Sequence, residues 1–308
     1  MRKAKPKKRV NYNRYFYLFI LPFVVVFLAF SLYPLLNTFA LSFSDTAGFQ
    51  NEFHFIGFEN YAKLFQDAYF YKSIWNVIRI WVFNFVPQLG IALLLSAWFT
   101  DVRLKMRGVG IYKAVIFMPY LLTAVSVAML FTTMFGYPSG IVNQILVKLG
   151  LLTEPFEFLR SKAASILLVS FIQFWMFVGY TIVMFMSGIT GIPVTLYEAA
   201  LVDGANMRTT FFRITVPLLK PIILYLMIMT IVGGLQIFEV PYVVGGTEGK
   251  PDGVLKTTVM YLYTTAFKGS NNYSYAATMS VGLFLLIVIF SVLAFRALGA
   301  RKEEGGVD

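Results

Sequence analysis

The chain has 308 residues, 58% of them hydrophobic and only 13% charged, with a mean hydropathy of +0.71. Soluble domains carry about a quarter charged residues, so this composition points to lipid and away from a soluble enzyme. The net charge of +11 comes from basic residues that flank apolar runs and form no folded basic face, which argues against nucleic acid as a partner. With no cysteine and a single histidine, His54, the chain has no disulfide, no thiolate metal site and no histidine cluster for a metal or a proton relay.

In chain order, a basic segment from Arg2 to Arg14 precedes the first apolar run. That run is too long for a signal-peptide core and lacks a small-x-small cleavage site before Asp45, so it reads as an uncleaved first helix. A membrane span needs about 20 apolar residues. Charge-poor runs predict helices over 15–42, 71–99, 110–135, 163–188, 221–244 and 273–297, an all-α membrane protein with six transmembrane helices. Many Tyr and Trp residues stand near the run ends, where an apolar ring with a polar tip suits the membrane–water interface. Pro22, Pro34, Pro87, Pro119 and Pro241 punctuate the runs; each kinks its helix for packing or opens a cavity between helices.

Lys and Arg favour the cytoplasmic side of a membrane protein. The two tails and the loops after helices 2 and 4 hold 17 basic residues against 8 on the opposite side, so both termini are expected in the cytoplasm. The expected organisation is a basic tail over 1–14, one membrane domain over 15–297 that includes the cytoplasmic loop 189–220, and a second tail over 298–308. Arg79 in helix 2 and Glu239 in helix 5 both fall in the outer third. They either pair with each other or reach separately to the interface. Asn84 and Gln88 add polar groups to helix 2.

The cytoplasmic loop over 189–220 carries the most information. Thr195 is placed to cap a short helix with Glu198 three residues on, and Asp203-Gly204 marks a turn. A second helix over about 206–214 is expected to end before Pro217. The small residues Ala199, Ala200, Gly204 and Ala205 permit another surface to approach, and Glu198 and Asp203 offer charge to a basic partner. On physical grounds alone, an interfacial hairpin and a docking element are equally good readings.

Glu198-Ala199-Ala200, then Gly204, Ile214 and Val216-Pro217 resemble the EAA motif of ABC importer permeases, with Val216 where the motif commonly has Leu. Gly57-Phe58-Glu59-Asn60-Tyr61 with Asp67, Phe70 and Asn76 is similar to the first external loop of the carbohydrate-uptake branch. Met118-Pro119-Tyr120, Gly140-Ile141-Val142-Asn143 and Tyr275-Ala276-Ala277 fit the same pattern. Gly245-Gly246-Thr247 departs from the usual Gly-Gly-Pro. The chain looks most like the first of two permeases in maltose-type or glycerol-phosphate-type systems.

The resemblance implies a type I ABC importer permease fold in the bacterial inner (plasma) membrane. It implies a second permease as heterodimer partner, two ATPase subunits that bind ATP and Mg, and an extracytoplasmic solute-binding protein. It assigns ATPase coupling to Glu198, Ala199, Ala200, Asp203, Gly204 and Ala205: an ion pair from Glu198, close packing at the alanines and the turn at Gly204. This chain is expected to hold no cofactor and catalyse no reaction. The nearest approach to a phosphate-binding loop, Gly249-Lys250, continues into Pro251 and has Val244 where the first Gly belongs.

Transporter sites commonly lie near the midplane. Tyr180 on helix 4 and Gly233, Gln236 and Glu239 on helix 5 are the expected substrate contacts: aromatic faces stack on sugar C–H faces, amides bond hydroxyls, and Gly233 lets a ring approach the backbone. A neutral sugar or oligosaccharide is favoured over glycerol phosphate or a related polyol compound, because the spans hold little positive charge beyond Arg79. A secondary carrier would need an intramembrane carboxylate for ion coupling, and only Glu239 is available.

Overall fold

A computed structural model describes residues 12–46, 53–100, 108–269 and 271–299, with side chains from Tyr15 onward. Most of the two expected tails, and Arg103, Lys105 and Arg107 of the loop after helix 2, lie outside the described residues. Helices account for the regular structure among the described residues, and Ser44 and Phe55 form an isolated antiparallel bridge. In order the helices are α1 (Tyr12–Phe27), α2 (Tyr33–Leu41), α3 (Glu59–Phe65), α4 (Ala68–Thr100), α5 (Val109–Phe117), α6 (Ala124–Met134), α7 (Ile141–Lys148) and α8 (Lys162–Thr190). There follow α9 (Val194–Val202), α10 (Met207–Thr210), α11 (Val216–Leu218), α12 (Lys220–Leu235), α13 (Glu239–Gly245), α14 (Thr258–Phe267) and α15 (Tyr273–Gly299).

Among the described residues, five segments are long and apolar enough to cross a membrane: Tyr15–Leu41, Ala68–Thr100, Lys162–Thr190, Lys220–Gly245 and Tyr273–Gly299. The straight helix expected over 110–135 is instead two pieces, Val109–Leu121 and Ala124–Met134, bent by 93°. The cause is local. Pro119 lies in a 3-10 turn over Met118–Leu121, Leu122 is extended, and Thr123 begins a new helix by accepting the Ser126 N–H. The helix expected over 221–244 is likewise interrupted, at residues 236–238 between α12 and α13.

Two other prolines are met by a wider turn. The π-helical turns Leu28–Leu32 and Phe211–Thr215 each end two residues before a proline, Pro34 and Pro217. The N–H of Tyr33 returns to the Leu28 carbonyl and that of Val216 to the Phe211 carbonyl. A π turn shifts the hydrogen-bond register where proline has no N–H to give. The expectation that a helix ends before Pro217 is therefore corrected: α11 contains Pro217, and α12 begins three residues after it.

The chain divides into two compact units, residues 1–65 with 265–281, and residues 66–264 with 282–308. In the first unit, polar groups tie the loop after α2 to the start of α15. The Ser44 and Ser274 hydroxyls lie 2.7 Å apart, Thr278 donates to the Ser42 carbonyl at 3.0 Å, and the Asn60 amide donates to the Ser44 carbonyl at 2.9 Å. Tyr61 meets the Ser42 hydroxyl at 2.7 Å. Asn60 and Tyr61 of the Gly57–Tyr61 pattern thus close a turn that Gly57 opens at φ +63°.

The second unit is organised around α4 and α8. Val77, Ile80 and Ala92 of α4 and Val169, Ile172 and Phe185 of α8 are fully buried. Two polar contacts cross this seam: Ser170 donates to the Ile80 carbonyl at 3.2 Å, and Gln88 donates to the Thr181 hydroxyl at 2.7 Å. Each is worth about 0.6 kcal/mol by the usual measure for membrane helices, so packing rather than polarity dominates the seam. Gly179 of α8 lies against the Ile116 carbonyl of α5 with no room for a Cβ, and Gly234 of α12 lies against the Trp81 ring in the same way. Outside the expected spans, Asp67 caps α4 and accepts from the Tyr261 hydroxyl at 2.8 Å; burial first, then this bond, raises the Tyr261 hydroxyl above its ordinary range.

Gly179→Val forces α5 away from α8 at an overpacking cost of about 1–3 kcal/mol. The expected outcome is a lower midpoint of thermal aggregation for the purified protein in detergent. Gly90→Ala, at a position with open space around it, is expected to leave the midpoint unchanged or raise it.

Candidate coupling hairpin and translocation path

The 189–220 loop folds as two short helices joined by a tight turn. Helix α9 begins at Val194 with Pro193 as its N-cap and no capping side chain, so Thr195 lies inside the helix and the capping box expected with Glu198 does not form. With Pro193 as the cap, the helix starts two residues before Thr195 could start it. At the other end, the Gly204 N–H bonds the Leu201 carbonyl at 3.1 Å and the Ala205 N–H bonds the Ala200 carbonyl at 2.8 Å. This is a Schellman closure with Gly204 left-handed at φ +72°. Asn206 then caps α10 by accepting the Thr209 N–H at 2.8 Å. The Tyr197 and Thr215 hydroxyls, 3.2 Å apart, hold the two arms together.

The six expected coupling residues divide by exposure. Glu198, Ala199, Asp203 and Gly204 are exposed, Ala205 is half-buried, and Ala200 is buried inside the hairpin, where its carbonyl closes the turn. Glu198 and Asp203 enter no ion pair among the described residues. Behind the hairpin a cavity of about 710 Å³ separates it from the end of α4. Leu94 and Trp98 line one wall and Leu201 and Phe212 the other, with Glu198 and Arg208 also on the lining. Apolar groups remain exposed on the hairpin itself, including Leu201, Val202 and Met207.

The second feature is the break at residues 236–238. Gly233 is exposed with nothing near the position of a Cβ, and Gln236 within the break and Glu239 just after it are exposed. Tyr180 is elsewhere: its ring stacks on Tyr120 at 5.0 Å and its hydroxyl lies near that of Tyr225. Tyr225 lies eleven residues before Gln236, about 16 Å along the helix axis. The structure therefore groups Gly233, Gln236 and Glu239 and leaves Tyr180 on a different level. Arg79 donates to the Asn76 side chain at 2.6 Å and lies 5.9 Å from the Trp75 ring centre; it forms no ion pair with Glu239.

No protein-family model matches the chain. Among curated proteins, the arabinooligosaccharides transport system permease protein AraP of Bacillus subtilis is 32% identical over 290 residues, covering 94% of this chain and 90% of that protein. The chain belongs to the permease family of ABC transport systems. The lactose transport system permease protein LacF of Rhizobium radiobacter is 30% identical, covering 96% and 98% of the two chains. A bacterial ABC transporter for import of the acidic polysaccharide alginate shares the fold at a TM-score of 0.81 and 22% identity, over 95% of this chain and 98% of that one. This permease is a multi-pass protein of the cell membrane, and its relatives are transport subunits rather than enzymes.

Sequence reasoning missed two parts of the permease site. It did not find the Tyr120–Tyr180–Tyr225 cluster, although Tyr120 belongs to the Met118-Pro119-Tyr120 pattern. It also gave Gln88 no partner, because nothing in one sequence says that Thr181 of another helix faces it.

Asn206→Ala removes the α10 cap, a loss of about 1 kcal/mol. Amide hydrogen exchange over residues 207–215 is expected to quicken by about fivefold, with exchange in α8 unchanged.

Proposed function

We propose that this chain forms half of the translocation path of an ATP-driven, binding-protein-dependent importer for a sugar or oligosaccharide. Six spans are formed when the bent pair α5–α6 crosses once, and both termini lie in the cytoplasm. A second permease completes the path, two separate subunits bind ATP and Mg and hydrolyse the nucleotide, and a binding protein delivers cargo from outside. Support for this assembly comes from the relatives named for arabinooligosaccharide and lactose transport, and from a related alginate importer described with a periplasmic protein that carries an alginate pentasaccharide.

The observation that carries the coupling reading is the rigid hairpin. Its turn is closed by two backbone hydrogen bonds, and it presents exposed carboxylates, Glu198 and Asp203, that enter no ion pair among the described residues. Such a surface suits a basic groove on the ATPase. Nucleotide-driven closure of the ATPase pair would move the hairpin as a rigid body and bias the permease between inward- and outward-facing states. Gly233, Gln236 and Glu239 are the proposed substrate contacts at the break. Tyr180 serves that role only for a substrate that passes the deeper level.

A second cargo, glycerol phosphate, has one observation in its favour: a permease protein for sn-glycerol-3-phosphate transport in Escherichia coli is 27% identical over 92% of this chain. The neutral sugar is favoured because the spans hold little positive charge beyond Arg79, which donates to Asn76 and lies beside the Trp75 ring.

Gly204→Val places a β-branched residue at φ +72°, and Glu198→Lys reverses the charge on the exposed face. Both variants are expected to reach the membrane at normal levels and to lose uptake by at least tenfold. Normal uptake in both would exclude the hairpin as the coupling element. Affinity purification of the wild-type chain is expected to bring an ATPase and a second permease, and transport by the chain alone in liposomes would favour a secondary carrier.

A further inference from the structure

The break at residues 236–238 has a cause in the sequence and a remedy 20 residues along the chain. In an unbroken helix the Ile237 carbonyl would accept from residue 241, which is Pro241 and has no N–H. The carbonyl is met instead by the Thr257 hydroxyl at 2.7 Å. The same hydroxyl oxygen accepts the Met260 N–H at 3.3 Å and so also starts α14. Thr257 is completely buried.

The residue before it is tied to a different helix. Asn76 of α4 donates to the Lys256 carbonyl at 3.0 Å and to the Gly253 carbonyl at 2.8 Å, while its own oxygen accepts from Arg79 at 2.6 Å. Asn76 is 1% exposed, so every polar atom of a buried amide is committed. Ser73, one turn earlier, reaches the Thr258 hydroxyl at 3.3 Å, and Val254 and Leu255 are buried in the core. Lys162 adds an ion pair to Asp252 at 2.8 Å on the exposed side of the loop. The 246–257 loop is thus fixed by neighbouring residues to α4 and to the broken span.

We propose that Asn76 and Thr257 are positioning residues that make this loop a strut between α4 and the break, so that a push on the loop is delivered to the backbone beside Gln236. The idea deepens the proposed translocation site and rests on Gln236 being a substrate contact. Thr257→Val keeps the shape of the side chain but leaves the Ile237 carbonyl and the Met260 N–H without a partner. Pro241 has no N–H and the Tyr242 N–H is already bonded to the Phe238 carbonyl at 3.0 Å, so water entering the break is left to satisfy the Ile237 carbonyl.

Gln236→Cys supplies a reporter, since the chain has no native cysteine. In the purified, complete importer, the rate at which a charged methanethiosulfonate labels this cysteine measures water access at the break. Thr257→Val is expected to raise the rate on the order of tenfold, the effect of leaving a buried carbonyl to water, and Thr257→Ser to keep the parental rate. Asn76→Asp, which cannot donate to either carbonyl, is expected to act in the same direction and serves if Thr257→Val does not assemble. Equal rates in the parent and these variants, or equal acceleration by Val and Ser, would overturn the strut. Gln236→Ala is assayed separately, for uptake of lactose, maltose and arabinooligosaccharides in turn. Parental uptake there would remove the substrate contact and leave the strut standing.

Discussion

Every carbonyl in an apolar helix needs an N–H, and a proline four residues on cannot supply one. That constraint shapes this chain more than any charge does, because inside hydrocarbon no solvent stands ready to replace the missing donor. The structure meets it in three ways. Before Pro34 and Pro217 a π turn shifts the register. Around Pro119 the helix narrows to a 3-10 turn and restarts at Thr123. At Pro241 the backbone breaks and a side chain from a distant loop, Thr257, fills the gap. The first answer keeps a helix continuous and the other two interrupt it, while Pro22 and Pro87 stand inside helices that run on unbroken.

These interruptions bear on function because they separate rigid parts from openings. The α4–α8 seam is packed through buried aliphatic side chains and needs little polar help. The hairpin at 194–215 is stiff for another reason: a Schellman turn, a side-chain cap and a hydroxyl pair leave few of its groups unsatisfied. A stiff element at one end and a broken span further along the same chain fit the proposed machine, in which a rigid-body movement at the hairpin changes access at the break. Conformational coupling of this kind requires elements that move as units, and each unit here has an identified cause of its rigidity.

Much of this was legible in the sequence. Five of the expected spans fall on helices within a few residues of their ends, because hydropathy over some 20 residues is a strong signal. The hairpin was legible too, through Asp203-Gly204 and the EAA spacing. Failures came where a single residue outweighed a long pattern. Thr123 read as the interior of an apolar run and proved to be a cap, and Thr195 read as a cap and proved to be interior because Pro193 acts first. Pairings between distant segments were not legible at all. Thr257 with Ile237, Asn76 with Lys256 and Gln88 with Thr181 depend on three-dimensional proximity that no local rule encodes. In the sequence Asn76 stands out only as part of a resemblance; its bonds to the Gly253 and Lys256 carbonyls give it a physical role.

The central claim is that the exposed face of the hairpin docks on an ATPase and moves with it. Ala199 is exposed, lies next to Glu198 and belongs to a chain without cysteine, so Ala199→Cys gives a single attachment point in this subunit. A short bifunctional thiol–amine cross-linker applied to the assembled importer measures what lies beside it. The account predicts an adduct with the ATPase subunit whose yield changes between nucleotide-free and vanadate-trapped states. An importer that remains active in uptake yet gives no ATPase adduct in either state would contradict it.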